Sequence, residues 1–283
     1  MKKIIIKSPA KINFGLNIVE KRPDGFHNIE TIFYPLDLFD IITFEKSDEL
    51  IFTTTSGTLI QEDLENNLII KAVRLLESTT GEKINAKIHL DKNIPIGAGL
   101  GGGSSNAAST LASLKEFFNL HINKEKLYEF ASRLGSDVPF FLKPIPSYGE
   151  SRGEKLLPIE FEINKHILLI NPGIHIPTKW AYSQVKPSPS SYKLSVLHKI
   201  KVNDFSGLKG KVTNDFEEVV FNEYPIIKEI KENLYQAGAE FVLMSGSGSS
   251  VFALFDNIEK LNDSNSYYKE KFFTYTELSE SSI

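Results

Sequence analysis

The sequence predicts an α+β protein of two lobes, divided near residue 160. Three observations predict it. The first half is strand-rich, helices and strands alternate beyond Pro158, and a glycine-rich run in the first half leads into an amphipathic helix.

In chain order, Ile4-Ile5-Ile6 opens a strand and Pro9 to Leu16 forms a second with clean alternation. Ala10, Ile12, Phe14 and Leu16 share one face, and Lys11, Asn13 and Gly15 share the other. Further strands are predicted at Thr31–Pro35, Asp40–Glu45 and Leu50–Thr54. Leu68, Ala72, Leu75 and Leu76 mark a helix that ends near Gly81. Ile84, Ala86, Ile88 and Leu90 alternate with polar residues as a strand. A helix then carries Ala107, Leu111, Leu114 and Phe118, and another spans Lys124–Leu134 before a tight Gly135-Ser136-Asp137-Val138-Pro139 corner. In the second lobe, His166–Asn171 reads as a buried strand stopped by Pro172-Gly173. Pro177 to Val185 reads as a short helix, and Pro187 to Ser191 as a surface loop. Pro225–Gln236 is a helix, and Phe241–Met244 and Val251–Phe255 are strands around a Ser-Gly turn. Asn262–Ser266 reads as a loop and Ser279–Ser282 as a frayed tail.

The run Pro95-Ile96-Gly97-Ala98-Gly99-Leu100-Gly101-Gly102-Gly103-Ser104-Ser105 carries the chemistry. Five of the seven residues from Gly97 to Gly103 are glycine. Without Cβ the backbone comes close to an anion, and the helix that follows offers unpaired N–H groups and the positive end of its dipole. The run therefore reads as a phosphate cradle. A P-loop is excluded because no lysine follows Gly102, where Gly103 stands. Gly97, Gly99 and Gly102 match G-x-G-x-x-G, but Asp91 to Pro95 separate the strand from the glycines and no strand–helix–strand series precedes them.

Composition narrows the classes. The chain has 283 residues, 41% hydrophobic and 24% charged, as an ordinary globular protein does. A formal net charge of -4 with no basic run gives no electrostatic footprint for nucleic acid. The absence of cysteine excludes disulfides, thiolate metal sites and a cysteine nucleophile. The apolar run at the N-terminus is too short for a signal peptide, no segment approaches membrane-spanning length, and a cytoplasmic location is expected. The histidines and carboxylates show no metal-ligand spacing.

Four other sites read two ways. Lys11, roughly 7 Å along its strand from Asn13, fits a solvent-facing lysine or an ammonium aimed at a phosphate or a reacting hydroxyl. Asp137 fits an N-cap or a general base. Ser245-Gly246-Ser247-Gly248-Ser249 fits a hairpin turn, or a second glycine loop that closes over a nucleotide or buttresses the first. Phe26 and His27, leaving the Pro23-Asp24-Gly25 turn, fit hairpin residues or an aromatic plate and a hydrogen-bonding ring for a flat ligand.

Taken together, Ser8-Pro9-Ala10-Lys11-Ile12-Asn13, Pro95 through Ser105 and Met244-Ser245-Gly246-Ser247-Gly248 resemble the GHMP small-molecule kinases, which include galactokinase, homoserine kinase, mevalonate kinase and phosphomevalonate kinase. Lys21-Arg22-Pro23-Asp24-Gly25-Phe26-His27 and Gly135-Ser136-Asp137-Val138-Pro139-Phe140-Phe141 sharpen the resemblance. They are similar to the branch that phosphorylates a cytidine diphosphate-linked polyol in the non-mevalonate route to isoprenoid precursors. The resemblance implies an N-terminal lobe of ribosomal protein S5 domain 2-like fold over residues 1–160 and a ferredoxin-like lobe over 161–283. It implies ATP as co-substrate with Mg²⁺ accompanying it, and Asp137 as base toward the tertiary 2-hydroxyl with Lys11 beside it. It also implies the 95–105 loop on the ATP phosphates, Phe26, His27 and Tyr182 around the cytosine, and Asn13 and Thr178 near the substrate. Asn106 stands where that branch usually carries aspartate, and Phe26 where tyrosine is usual. Two alternatives remain at this stage: a GHMP kinase for another small alcohol of the homoserine or mevalonate type, or a catalytically silent nucleotide-binding regulator.

Overall fold

The computed structural model describes residues 3–55, 64–189, 192–199 and 204–279. They form two compact units. The first takes Met1–Ala10, Asp37–Ile94 and Gly101–Pro144; the second takes Lys11–Leu36, Pro95–Leu100 and Ile145–Ile283. Two long strands, β1 (Lys3–Lys21) and β2 (His27–Lys46), run through both. The predicted strands at Ile4–Ile6 and Pro9–Leu16 are thus one strand, and so are those at Thr31–Pro35 and Asp40–Glu45. Pro9 and Pro35 mislead because proline is tolerated where a strand has no ladder N–H to give.

In the first unit, Ile41–Lys46 of β2 pair antiparallel with β4 (Ala86–Asp91), and β3 (Ile51–Thr54) pairs with β4 in parallel. Helix α1 (Leu68–Thr80) starts at Asn67, whose side chain accepts from the Ile69 N–H, and stops at Gly81 in the left-handed region. Its Ile69, Ile70, Ala72, Val73, Leu75 and Leu76 are buried, and it packs against α2 (Gly102–Phe117). Helix α3 (Lys124–Leu134) is capped by Asn123, and a short α4 (Val138–Phe141) forms at the predicted corner.

In the second unit, β1 and β2 are joined by a turn in which Arg22 N–H donates to the Phe26 carbonyl. Thr31–Phe33 of β2 pair with β5 (Ser147–Glu150), which pairs with β6 (Lys155–Pro158). The rest is a four-stranded antiparallel sheet, ordered β10-β7-β9-β8. Its members are β7 (His166–Asn171), β8 (Phe241–Met244), β9 (Val251–Phe255) and β10 (Phe273–Glu277). Helix α5 (Thr178–Gln184) and α6 (Glu217–Glu223) follow β7, and α7 (Pro225–Gln236) precedes β8. Helix α8 (Ile258–Tyr268) lies between β9 and β10. The series β7-α7-β8-β9-α8-β10 with this strand order is the ferredoxin-like arrangement. Every residue of β7, β8 and β9 is buried, which explains their unbroken apolar runs.

One further prediction fails here. Asn262–Ser266 is helical, because the Asn257 side chain caps α8 by accepting from Lys260 N–H, and Leu261, Ser264 and Tyr268 turn one face inward. Its polar composition hid a narrow buried stripe. Strands β5, β6 and β10 were not anticipated; they are four or five residues long and carry little alternation. Ser279, the first residue of the predicted tail, donates its N–H to His166 Nδ1 at 3.1 Å. Ser190, Ser191 and residues 280–282 lie outside the described residues. No helix among the described residues is long and apolar enough to cross a membrane.

One aromatic cluster of the second unit gathers around Phe14, wholly buried. Its ring centroid lies 4.8 Å from Phe241 and 5.0 Å from Phe161, with Phe205 at 5.9 Å and Phe252 at 6.1 Å. Phe14→Ala should lower unfolding stability by about 3–5 kcal/mol, the usual loss for emptying a buried phenyl site; equilibrium urea denaturation measures it.

Candidate active site

The glycine run is divided between the two units: Pro95–Leu100 belongs to the second and Gly101 onward to the first. In the second unit, the Gly99 carbonyl is a meeting point. It accepts from Lys11 Nζ at 3.0 Å and from Ser245 Oγ at 2.9 Å. Lys11 is 3% exposed, which corrects the solvent-facing reading. Strand β1 has its polar face buried as well as its apolar one, with Asn13 and Asn17 also nearly inaccessible. The ammonium donates to Asn13 Oδ1 at 2.5 Å, and Asn13 Nδ2 donates to Thr31 Oγ1 at 2.9 Å. Asn13 is thereby oriented at both ends of its amide.

Ser245-Gly246-Ser247-Gly248-Ser249 is a turn that also buttresses the first loop. The Gly248 N–H donates to the Ser245 carbonyl at 3.0 Å, the Ser245 hydroxyl reaches Gly99, and the Ser250 N–H donates to the Ala98 carbonyl at 3.2 Å. Gly99 has a φ of +76°, and a Cβ there would lie 2.0 Å from the Ser245 carbonyl oxygen. Only glycine permits that approach. Asn214, 3% exposed, donates to the carbonyls of Met244 and Gly246 at 2.8 Å each and fixes the same turn. Thr178 and Ser247 hydroxyls are 3.2 Å apart.

The predicted aromatic residues are also in this unit. His27 stacks on Tyr182, with centroids 4.9 Å apart and planes 15° from parallel, and Tyr182 meets Phe216 edge-on. Phe26 is exposed, with the Arg152 guanidinium 4.7 Å from its ring centroid. Burial pulls the His27 imidazole below its usual value, and the Lys21 charge adds to the effect.

In the first unit, α2 begins at Gly101 with no side-chain cap and no acidic residue in its first turn. A helix end of this kind can take up a ligand's negative charge. Asp137 occupies the N-cap position of α4, yet its carboxylate makes no capping hydrogen bond, so the capping reading fails. Asn106 Nδ2 donates to Asp40 Oδ2 at 3.0 Å, and Lys92 Nζ donates to the same oxygen at 2.8 Å. Burial pulls the Lys92 ammonium below its usual value, and the Asp40 carboxylate opposes this. Asp40, Lys92, Thr31 and Asn214 were not singled out from sequence. The carboxylates Asp37 and Asp40 inside the largely apolar stretch from Leu36 to Phe44 were the available signal.

Two measurements follow from this geometry. Gly99→Ala should destabilise the protein well beyond Gly81→Ala, because both glycines have positive φ but only Gly99 faces a carbonyl; paired thermal melts compare them. His27 takes up its proton at lower pH when folded than when unfolded. Its contribution to stability is therefore complete above the unfolded value of about 6.5 and is lost as pH falls through the depressed folded value. His27→Gln should flatten the dependence of Tm on pH below about 6.5, and an unchanged slope would assign that dependence to other groups.

Comparison with known proteins identifies the family. Residues 67–143 match the GHMP kinases N terminal domain and residues 196–266 the GHMP kinases C terminal domain. A Bacteroides fragilis protein named 4-diphosphocytidyl-2-C-methyl-D-erythritol kinase is 44% identical over 89% of this chain and 92% of its own length. One of the same name from Chlorobium limicola is 38% identical over 95% and 94%. A crystal structure of a 4-(cytidine 5'-diphospho)-2C-methyl-D-erythritol kinase superposes with a TM-score of 0.81 at 29% identity, covering 96% of this chain and 98% of that one. A homoserine kinase from Cytophaga hutchinsonii, at 17% identity and a TM-score of 0.68 over 99% and 95% of the chains, shares the fold. The chain belongs to the GHMP kinases, and within them to the family of these 4-diphosphocytidyl-2-C-methyl-D-erythritol kinases.

Proposed function

We propose that this kinase transfers the γ-phosphoryl group of ATP to the 2-hydroxyl of 4-diphosphocytidyl-2-C-methyl-D-erythritol, in the cytoplasm, as a step toward isoprenoid precursors. The observation that carries the reading is Lys11: a buried ammonium on β1, fastened to the Gly99 carbonyl of the glycine loop. A cation fixed at a phosphate loop has little other use. The relatives' names support the substrate.

In this reading Asp137 takes the proton from the tertiary 2-hydroxyl, and that oxygen attacks the γ-phosphorus while ADP departs. Lys11 offsets the charge that develops on the attacking oxygen. The backbone N–H groups at the start of α2, with Gly101, Gly102, Gly103, Ser104 and Ser105, hold the phosphates, and Pro95 to Leu100 complete the loop. Phosphoryl transfer asks chiefly for positioning and charge neutralisation, which these groups supply. Mg²⁺ would come with ATP, held by phosphate oxygens and water as that ion prefers. His27, Tyr182 and Phe26 offer flat faces to cytosine, and Asn13 and Thr178 offer amide and hydroxyl groups to the polyol. An N-terminal lobe ending near residue 160 belongs to the same reading, with one matched family domain on each side.

ADP release should require the cytidylyl substrate and be absent with mevalonate or homoserine; turnover with either of those instead would overturn the assignment. Asp137→Asn should lower kcat by roughly 10²–10⁴-fold with ATP affinity retained, the range for loss of a general base. Gly102→Val should raise the KM for ATP. A Cβ at Gly102 already lies 3.0 Å from Ile94 Cγ2 and 3.2 Å from Lys92 Nζ, so a valine there crowds the start of the helix that holds the phosphates in this reading.

A further inference from the structure

We propose that Asp40 is the positioning residue of the phosphate loop, a carboxylate that ties the segment entering the loop to the helix leaving it. The proposal rests on the reading that this loop holds the ATP phosphates. Asp40 is wholly buried at the first unit's end of β2. Its Oδ1 accepts from the backbone N–H groups of Asn93 and Ile94 at 2.8 Å each, the last residues before Pro95. Its Oδ2 accepts from Lys92 Nζ at 2.8 Å and from Asn106 Nδ2 at 3.0 Å. Four donors match the four lone-pair sites of a carboxylate. Two come from the backbone entering the loop and one from the second turn of α2.

Packing gives no reason for this arrangement. A buried ion pair is weakly stabilising at best, and well-packed apolar side chains hold a fold as well or better. What the carboxylate supplies is direction: one oxygen fixes two successive N–H groups before the loop, and the other joins Lys92 to Asn106 on α2. Lys92 Nζ also donates to the Ile94 carbonyl, and Gly102 sits against both Lys92 and Ile94. The pin therefore abuts the first residue of α2.

Asn106 fits the same logic. Its Nδ2 serves Asp40, while its Oδ1 is buried with no hydrogen-bond partner among the described residues. The residue is kept for its donor, at the expense of its acceptor. An aspartate there would set lone pairs and a like charge against Asp40. The departure at position 106 is thus paired with a residue 66 positions earlier.

The test is an exchange. Asp40→Asn keeps the shape but turns one oxygen into a donor facing Lys92 and Asn106. The double variant Asp40→Asn with Asn106→Asp restores a donor opposite an acceptor at unchanged net charge. Steady-state kinetics of the full chain should show the single variant raising the KM for ATP about tenfold, on the scale of one disrupted charge-assisted hydrogen bond. The KM for the cytidylyl substrate should stay unchanged, and the double variant should return most of the loss. An unchanged KM for ATP overturns the proposal, as does a parallel rise in both KM values that the exchange does not rescue. Should Asp40→Asn not fold, Asn106→Leu removes one donor and leaves Lys92 paired. It should still raise the KM for ATP selectively, and a normal value there overturns the proposal too. Gly102→Val separates the two levels. Normal ATP affinity in that variant removes the loop reading and the proposal with it, whereas weakened affinity beside a normal Asp40→Asn removes the proposal alone.

Discussion

The close approach of the Ser245 carbonyl to Gly99 is the constraint on which the second unit's part of the site depends. No side chain fits between them, since a Cβ at Gly99 would fall 2.0 Å from that oxygen. Because the backbones touch there, the Ser245 hydroxyl and the Lys11 ammonium both reach the Gly99 carbonyl. The Asn13 N–H in turn donates to Ser245 Oγ at 3.1 Å. One contact thus fixes a lysine on β1, the first half of the glycine loop and the serine-glycine turn. The energetic weight of each hydrogen bond is about 1 kcal/mol. Their importance is geometric, because they leave the ammonium one orientation.

The surrounding fold explains why that contact persists. The turn hangs between β8 and β9, the two strands whose residues are buried throughout, and Asn214 clamps its backbone from the side. Glu217 holds the strand leading into it: its Oε1 accepts from the Met244 N–H at 3.0 Å, and its Oε2 pairs with Lys231 at 2.6 Å. Burial pushes the Glu217 carboxyl up, and the Lys231 charge opposes that. In the first unit, Asp40 does for the loop's other half what Ser245 does for Gly99. Both devices use buried polar groups whose donors and acceptors come from distant segments, and such groups specify geometry more than they add stability.

Much of this was legible in the sequence, and unevenly. Helices α1, α2, α3 and α7 announced themselves through apolar spacing and, for α1, through the stop at Gly81. The glycine run stood out because five glycines in seven residues before a helix is an unusual composition. Lys11 was harder. Alternation put it on the polar face of its strand, and only the tertiary structure reveals that this face is buried too. Asp40 and Asn214 escaped because their meaning lies in partners 66 and 30 residues away, which periodicity does not encode. Helix α8 was missed for the opposite reason: its buried stripe holds only Leu261, Ser264 and Tyr268 among polar neighbours.

The most direct test of the central claim is the identity of the product. Phosphorus-31 NMR of a completed reaction with ATP and 4-diphosphocytidyl-2-C-methyl-D-erythritol reports where the transferred group resides. The account predicts one new phosphomonoester resonance per ADP formed, on the tertiary 2-oxygen, with the cytidine diphosphate signals retained. A phosphomonoester on another hydroxyl, or free phosphate in place of a phosphorylated polyol, would contradict it.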